Sequence, residues 1–175
     1  MILNSDIRIK TDRLILKPVE EAYADDINTY FTPEVTRYMP FNPEGNINDV
    51  LSFVNSSKNG LLNNTDLVMV AVDADKNFMG CCGIHNISPE SIEVGLWLKK
   101  SAQGIGLGTE IVASLIQFIE GHFTFEYILY PVDEENIASK KIPEKLGFIP
   151  YKKYQKSKGL SSHLNIVEYR KYYSQ

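Results

Sequence analysis

The chain is organised around the stretch Trp97-Leu98-Lys99-Lys100-Ser101-Ala102-Gln103-Gly104-Ile105-Gly106-Leu107-Gly108 and the amphipathic segment that continues from it to Glu120. Its pattern predicts the end of an apolar strand, a glycine turn and a helix. Three glycines at alternate positions remove every second Cβ, so successive backbone N–H groups can converge on one anion. The helix adds its unpaired N-terminal N–H groups and its dipole. This order predicts a site for phosphate or diphosphate.

Two known phosphate loops can be compared with this turn. A Walker loop ends in Gly-Lys-Ser/Thr, whereas this turn ends in Gly108-Thr109 and contains no lysine, which excludes it. A Rossmann fingerprint has a third glycine where Thr109 stands, and it opens a long parallel sheet. Asp133 has the right distance for the acidic residue of that fold, but only sixty-seven residues follow Gly108. The Rossmann interpretation is weakened and stays open, as does a turn that only joins two elements.

A third kind of loop fits better. Gln103-x-x-Gly106-x-Gly108 between a strand and a helix resembles the acetyl-CoA diphosphate loop of the GNAT N-acetyltransferase superfamily. Other stretches that resemble this family are Asn136-Ile137-Ala138-Ser139, Glu144-Lys145-Leu146-Gly147-Phe148, the strand Ile92–Leu98, and Thr11–Pro18. The last is similar to the opening strand of the branch that includes the ribosomal-protein N-terminal alanine and serine acetyltransferases. The resemblance spans about residues 11 to 171.

Hydrophobic periodicity supports a mixed architecture. Helical patterns cover residues 20–31, 48–58, the segment from Gly108 to Glu120, and 136–146. Strand patterns cover residues 14–17, 67–72, 78–84, 92–98, 126–132, 148–156 and 163–171. Antiparallel strands before the glycine turn disfavour Rossmann topology, which alternates strand and helix from the start. The resemblance implies an α/β fold whose mostly antiparallel central sheet splays at the cofactor site, with flanking helices, as one N-acetyltransferase domain over residues 1–175.

The composition is that of an ordinary globular protein, with 43% apolar and 23% charged residues. The longest apolar stretch, 111–119, is too short to span a bilayer, and Met1–Ser5 shows no secretory signal. A cytoplasmic location is therefore expected. Cys81 and Cys82 are adjacent in a strand and point to opposite faces. They are expected to be buried thiols, with a nucleophilic Cys82 as the alternative; two cysteines build neither a disulfide framework nor a cysteine-based zinc site.

Charge is unevenly distributed along the chain. Residues 1–149 hold 12 Lys and Arg against 21 Asp and Glu, whereas residues 150–175 hold 6 against 1, which gives −9 and +5. The basic lysines alternate with tyrosines at strand spacing, as on a solvated strand face, so a nucleic-acid partner is disfavoured. The acidic majority suits a cationic amine. No membrane partner is expected.

The family resemblance implies how acetyl-CoA is held. Backbone N–H groups of the glycine loop and the helix start would take the diphosphate, the strand end would hydrogen-bond the pantetheine arm, and Asn136 would meet that arm from the other side. The implied cofactor-binding residues are Leu98, Lys99, Gln103, Gly104, Ile105, Gly106, Leu107, Gly108, Thr109, Asn136 and Ser139. Acetyl transfer to an amine needs no metal, because most of the rate can come from positioning the two reactants.

Three residues are the catalytic candidates. An ammonium acceptor must lose a proton, and Glu93, on the strand leading to the loop, is the first candidate base. His85 is the second, because its unperturbed pKa lies near 6.5; each residue has a plain structural alternative, as a cross-strand glutamate and a solvated loop histidine. Many family members protonate the leaving thiolate with a tyrosine at the position of Pro143, so Ser139 becomes the candidate donor. Water or another hydroxyl, such as that of Tyr130, is the alternative.

These residues predict an acetyl-CoA-dependent transferase that acetylates a primary amine by direct attack on the thioester. The branch resemblance favours a protein N-terminus as acceptor. The alternatives are a small-molecule amine as acceptor or a non-catalytic acyl-CoA-binding module, for which the missing tyrosine is the best argument. The expected assembly is a monomer or a homodimer.

Overall fold

The computed structural model describes residues 2–43 and 45–173. These residues form eight strands, four α-helices and two short 3-10 helices. The strands are β1 (Ile9–Lys10), β2 (Ile15–Pro18), β3 (Leu67–Val72), β4 (Phe78–His85), β5 (Ser91–Leu98), β6 (Tyr127–Asp133), β7 (Ile149–Lys158) and β8 (Ser162–Tyr172). The helices are α1 (Ala24–Tyr30), α2 (Ile47–Leu62), α3 (Leu107–His122) and α4 (Ile137–Lys145); the 3-10 helices are Glu21–Tyr23 and Lys100–Ala102.

All eight strands belong to one sheet of order β1-β2-β3-β4-β5-β6-β8-β7. Every neighbouring pair is antiparallel except β5 and β6, which run parallel. This parallel pairing is short, because it joins only Ser91–Glu93 to Tyr127–Leu129. Beyond Glu93 and Leu129 the two strands separate, so the expected sheet that splays beside the glycine turn is confirmed.

Apolar residues on the two faces of the sheet form two cores. The larger core lies under α3, whose buried side chains Ile111, Val112, Leu115 and Ile119 pack against strand residues such as Ile92 and Val94. The smaller core joins α1 and α2 to Val70, Val72 and Phe78. Because strand residues alternate between faces, Cys81 lies in the smaller core and Cys82 in the larger one. Both thiols are buried, as expected.

Several element boundaries differ from the sequence prediction. The second helix was expected to stop at Asn59-Gly60, but α2 continues to Leu62 and ends at the cap Asn63. Gly60 lies inside the helix, and a Cβ there would come within 2.8 Å of the Asp66 Cβ, so the close approach of Asp66 requires a glycine. β1 was not predicted, since two residues carry too little periodicity. The closing hairpin of β7 and β8 is longer than the alternating apolar pattern indicated.

Within residues 2–43 and 45–173, no helix has the length and apolar character needed to cross a membrane. The same part of the chain contains no group of three or more His, Cys, Asp or Glu side chains placed to hold a metal ion.

Candidate active site

The glycine turn bends through two left-handed residues. Gly104 and Gly106 have φ of +78° and +85°, conformations that residues with a Cβ rarely adopt. Gly106 is the N-cap of α3, and the first bond of that helix runs from the Glu110 N–H to the Gly106 carbonyl, at 3.2 Å. The N–H groups of Leu107, Gly108 and Thr109 precede that bond and emerge at the helix end. Their convergence on one anion stays a prediction.

Gly108 has a second reason to be glycine. A Cβ at this position would lie 2.9 Å from the Cδ1 atom of Ile142, on α4, and 3.5 Å from that of Leu96. The missing side chain therefore lets α4 pack closely against the start of α3. The sequence predicts this glycine only from the need to leave space for an anion. In the structure it also leaves space for Ile142 and so for the helix that carries Ser139.

The residues before the turn are engaged differently from what the resemblance implied. The Gln103 side chain donates from Nε2 to the Leu98 carbonyl (2.9 Å), and its own N–H donates to Lys100 (3.2 Å). The Lys99 N–H donates to the carbonyl of Met79 on β4, at 2.9 Å. Gln103 therefore stabilises the turn, and its own N–H is already used within it. A role for Lys99 toward pantetheine would fall to its carbonyl.

The splay between β5 and β6 opens into a cavity of about 750 Å³. Its walls are the diverging strands, α4, the start of α2 and the loop between α1 and α2. Among the described residues, four carboxylates line it, against the cation of Lys156: Asp49, Asp66, Glu93 and Asp133. Asp133 is buried and accepts the N–H groups of Glu135 and Asn165, so its charge serves the local fold. The remaining three leave the cavity suited to a cationic acceptor.

Glu93 and His85 lie side by side on the wall of this cavity that β4 and β5 form, the proposed acceptor wall. They are directly paired across β4 and β5, so both side chains point to the same face of the sheet. The Asn86 side chain donates from Nδ2 to Glu93 Oε2 (3.2 Å). Asp66 lies 3.3 Å from His85 Nδ1 and accepts the Asn86 N–H at the same distance. The two candidate bases thus belong to one group of four polar residues rather than to separate places.

Ser139 lies on the opposite side of the splay, on the first turn of α4. Its Oγ is 2.7 Å from the hydroxyl of Tyr130. Tyr130 directly follows Leu129, the last residue of β6 that pairs with β5. The side chain of Asn136 caps α4 by accepting the Ser139 N–H at 3.2 Å. Tyr130 is 3% exposed, and burial raises its pKa to about 12 although the Ser139 hydrogen bond acts in the other direction. Tyr130 therefore stays a hydrogen-bond donor across the physiological pH range.

Pro143 lies inside α4, which begins at Ile137. The helix does not begin as late as Lys140, so Pro143 does not lie in its first turn. Because Pro143 has no N–H, the Ser139 carbonyl lacks the usual partner four residues on. The Phe148 N–H donates to the Pro143 carbonyl (3.0 Å) in the connection from the end of α4 to β7.

Gly83 and Gly95 are directly paired across β4 and β5, two residues along each strand from the His85 and Glu93 pair and two from Cys81 and Trp97. Gly95 lines the cavity, and a Cβ there would have no described atom within 4 Å. A Cβ at position 83 would meet the Leu67 carbonyl oxygen at 2.6 Å and the His85 Nε2 at 3.3 Å, so the imidazole lies over this glycine.

The roof of the cavity comes from the loop between α1 and α2, whose residues Tyr38, Met39 and Phe41 line it. The Lys158 ammonium, at the end of β7, holds this loop by donating to the carbonyls of Thr36 (2.6 Å) and Arg37 (2.8 Å). No local sequence pattern relates this lysine to the loop, because more than a hundred residues separate it from the carbonyls it contacts.

Two members of this site had no local sequence signal. Asp66 stands in a polar turn that looks like any helix-to-strand connection, and nothing in its spacing relates it to His85. Asn86 follows His85 directly and takes a left-handed conformation, φ +52°, in which its amide reaches Glu93. Tyr130 was recognisable only as a hydroxyl near the end of a predicted strand.

Similarity to known proteins agrees with this geometry. The chain matches the acetyltransferase (GNAT) domain family over residues 13–149. It is 30% identical over 159 residues to the uncharacterized N-acetyltransferase p20 of Bacillus licheniformis, which covers 85% of this chain and 88% of that protein.

Two solved structures show how widely the fold is shared. The Salmonella typhimurium acetyltransferase that modifies the N-terminal serine of 50S ribosomal subunit protein L7/L12 has a TM-score of 0.82 at 13% identity, covering 96% of this chain and 100% of that one. Spermidine N-acetyltransferase from Vibrio cholerae, in complex with CoA and spermine, has a TM-score of 0.78 at 17% identity, covering 91% and 95%. At these identities the likeness establishes the fold alone.

The fold and the family match together define an acyltransferase of the GNAT type. The chain belongs to the GNAT acetyltransferase family, and it is an acetyl-CoA-dependent N-acetyltransferase. This membership sets aside the Rossmann interpretation and favours an enzyme over a non-catalytic module.

Proposed function

We propose that the chain acetylates a primary amine by direct attack of its nitrogen on the thioester of acetyl-CoA, within the splay between β5 and β6. The observation that carries this proposal is the arrangement of polar groups about one cavity. Glu93 and His85 face it from the acceptor wall, and Ser139 with Tyr130 faces it from the cofactor wall. A proton acceptor and a hydrogen-bond donor thus stand on opposite sides of the position for the reacting carbonyl.

Cofactor binding is assigned mainly to the backbone. The N–H groups of residues 104–109 converge on the diphosphate, aided by the dipole of α3. The edge of β5 from Val94 to Leu98, which has no partner strand on the splayed side, offers hydrogen bonds to the pantetheine arm. Asn136 meets that arm from α4.

Glu93 is the proposed base. Its carboxylate accepts a proton from the ammonium acceptor, so the neutral nitrogen can form the new bond to the carbonyl carbon. His85 stands beside it with Nδ1 toward Asp66, and its proposed role is to take the proton on from Glu93. Asn86 fixes the position of the Glu93 carboxylate through the hydrogen bond from its amide.

Ser139 and Tyr130 are the proposed donors to the leaving group. When the carbon–sulfur bond breaks, the electron pair remains on sulfur, and the Ser139 hydroxyl donates to it while accepting from Tyr130. This pair takes the place of the tyrosine that Pro143 displaces. A CoA thiol is already a fair leaving group, because a reference thiol has a pKa of about 8.5, so a weak donor suffices.

The proposed acceptor is a protein N-terminus. The branch resemblance of Thr11–Pro18 supports it, as does the shared fold with the Salmonella enzyme that modifies the N-terminal serine of L7/L12. A small cationic amine is the second candidate. The carboxylates of Asp49, Asp66 and Glu93 about the cavity favour it, and the spermidine N-acetyltransferase has the same fold.

One experiment separates these possibilities. Purified protein is titrated with acetyl-CoA and then incubated with a panel of N-terminal peptides and small mono- and diamines, with products identified by mass spectrometry. Acetylation of peptides above small amines is the expected result. Preference for diamines would replace the acceptor proposal with the second candidate. Binding of acetyl-CoA without any product would contradict the proposed chemistry.

Three sequence expectations remain predictions beside this proposal. They are a single acetyltransferase domain over residues 1–175, a cytoplasmic location, and a monomer or homodimer. Size-exclusion chromatography with light scattering tests the last of these.

A further inference from the structure

Arg13, in the turn between β1 and β2, lies against the glycine loop although 92 residues separate it from Ile105. Each nitrogen of its guanidinium has a distinct environment. Nε donates to Glu110 Oε2 at 2.6 Å, and Nη1 donates to the Ile105 carbonyl at 2.9 Å. Nη2 lies 3.5 Å from where a Cβ on Gly106 would be. The cation is thus fixed beside the two left-handed glycines.

Glu110, in the first turn of α3, holds this arrangement. Its carboxylate accepts the Thr11 hydroxyl (2.5 Å) and the Arg13 N–H (2.8 Å) in addition to the Arg13 side chain. Burial acts to raise the pKa of Glu110, but the hydrogen bonds from Thr11 and Arg13 and the Arg13 charge together lower it. The carboxylate is therefore charged and surrounded by donors. Its negative charge at the start of α3 would repel a diphosphate unless a cation accompanied it.

The two lysines that precede the loop in the sequence are directed elsewhere. Lys100 forms an ion pair with Glu34 at 2.6 Å, and the Lys99 ammonium lies over the ring of Tyr30, 5.2 Å from its centre. Residues 103–109 carry no charged side chain. Backbone N–H groups supply partial charges only, whereas a diphosphate carries formal negative charge. Arg13 is the nearby cation that both contacts the loop and has its orientation fixed by it.

We propose that Arg13 is a cofactor-binding residue that supplies the positive charge opposite the diphosphate of acetyl-CoA. Glu110 and the Ile105 carbonyl hold its guanidinium in place, and Nη2 remains for the phosphate oxygens. The inference rests on the proposed position of the diphosphate at residues 104–109. It adds to that position a positive charge from a distant part of the sequence. In a Walker loop, by contrast, a lysine within the loop supplies this charge.

The test compares two thioesters that differ in the diphosphate. Acetyl-CoA contains it, whereas S-acetylpantetheine has the same arm and acetyl group without it. The variants are Arg13→Gln, Arg13→Lys and the control Lys100→Gln, which removes a cation next to the loop that pairs with Glu34. Calorimetry gives the Kd for acetyl-CoA and CoA, turnover gives kcat/KM for both thioesters, and circular dichroism checks the fold.

Arg13→Gln should weaken acetyl-CoA binding about tenfold, the low end for a charge-assisted contact because the side chain is 48% exposed. Its kcat/KM with S-acetylpantetheine should equal that of the parent, and added salt should narrow the difference in acetyl-CoA affinity. Arg13→Lys should keep most of the affinity because it keeps the charge, and Lys100→Gln should stay within twofold of the parent.

Unchanged acetyl-CoA affinity in Arg13→Gln would overturn the proposal. So would an equal loss with both thioesters, since Arg13 would then only support the fold. If Arg13→Gln does not fold, Arg13→Lys decides, because a loss of more than tenfold despite the retained charge would contradict an electrostatic role. A parent that binds acetyl-CoA no better than S-acetylpantetheine would instead refute the phosphate loop itself.

Discussion

The two sides of the splay are built by different means. The proposed cofactor side is a contiguous strand, turn and helix, in which two left-handed glycines lead into the helix start. The proposed acceptor side brings side chains together from β3, β4, β5, β7 and the loop after α1. One side depends on the shape of the main chain, and the other on which side chains the fold happens to gather.

This difference separates what is general from what is particular in the molecule. Any enzyme that uses acetyl-CoA must hold the same diphosphate and arm, so main-chain geometry can supply most of the contacts, with the charge of Arg13 as the proposed addition. Acceptors differ from one enzyme to the next, so the acceptor wall depends on side-chain chemistry such as the group Asp66, His85, Asn86 and Glu93. Substitutions on the two sides should therefore change different measurable quantities.

Gly106→Val should have the largest effect, on cofactor affinity. Gly106 has φ of +85°, which a β-branched residue adopts only under strain. The N–H groups at the start of α3 would move out of alignment, and we expect acetyl-CoA to bind at least about a hundredfold more weakly. Calorimetry measures this, with thermal unfolding as a check. Gly121→Ala is the control, because Gly121 is exposed with no described atom near its Cβ position; parent-like binding by a folded Gly106→Val would contradict the assignment.

Glu93→Gln should act on the other side, leaving cofactor affinity unchanged. Loss of the base should lower kcat about a hundredfold near neutral pH. The rate should recover at high pH, where the amine deprotonates without help. The pH dependence of kcat, measured beside the exposed control Glu126→Gln, tests this. A profile identical to the parent's would remove Glu93 as base and leave His85 as the candidate.

Ser139→Ala and Tyr130→Phe should each lower turnover by about tenfold to a hundredfold, with cofactor affinity within a few fold. Because their hydroxyls are 2.7 Å apart and act as one unit, the double variant should be no worse than the poorer single one. With an acetyl thioester whose thiol is more acidic, the difference in turnover between each variant and the parent should become smaller. The pKa of Tyr130 is about 12, so its ionisation should add no limb to the parent's pH–rate profile below about pH 11. Additive losses, or full activity in either variant, would contradict a shared role.

The smallest effect is expected at the two cysteines, which lie on opposite faces of the sheet. Burial raises the pKa of Cys82 to about 12, and burial with the neighbouring thiol raises that of Cys81 well above its usual range. Neither forms appreciable thiolate at pH 8, so a disulfide reagent should label neither in the folded protein and both after denaturation. Rapid labelling of Cys82 in the native state would restore the nucleophilic alternative.

The sequence predicted the turn and the helix of the proposed cofactor side, because the information for both is local. Glycine spacing and the apolar stripe from Ile111 to Ile119 are visible in consecutive residues, and the helix and turn form where they indicate. Even there, the close contact of Gly108 with Ile142 and the hydrogen bond of the Lys99 N–H with Met79 depend on elements far apart in the chain.

The acceptor side was predictable only one residue at a time. Glu93 and His85 could each be named from a strand and a loop, but their direct pairing depends on the register of β4 with β5. The contact of Asp66 with His85 and that of Lys158 with the roof join segments that no periodicity relates. Long-range register and packing, rather than any local preference, decide which polar groups share the cavity.

The paired glycines of β4 and β5 differ in how far they can change. Position 83 is closed to change, because any side chain there would strike the main chain of β3. Position 95 meets no described atom within 4 Å and has no positive φ, so the sheet tolerates a side chain there. Because Gly95 lines the cavity, such a side chain would project into the space that we propose for the acceptor. A single codon change at position 95 would then alter which amines fit, without a change in the fold.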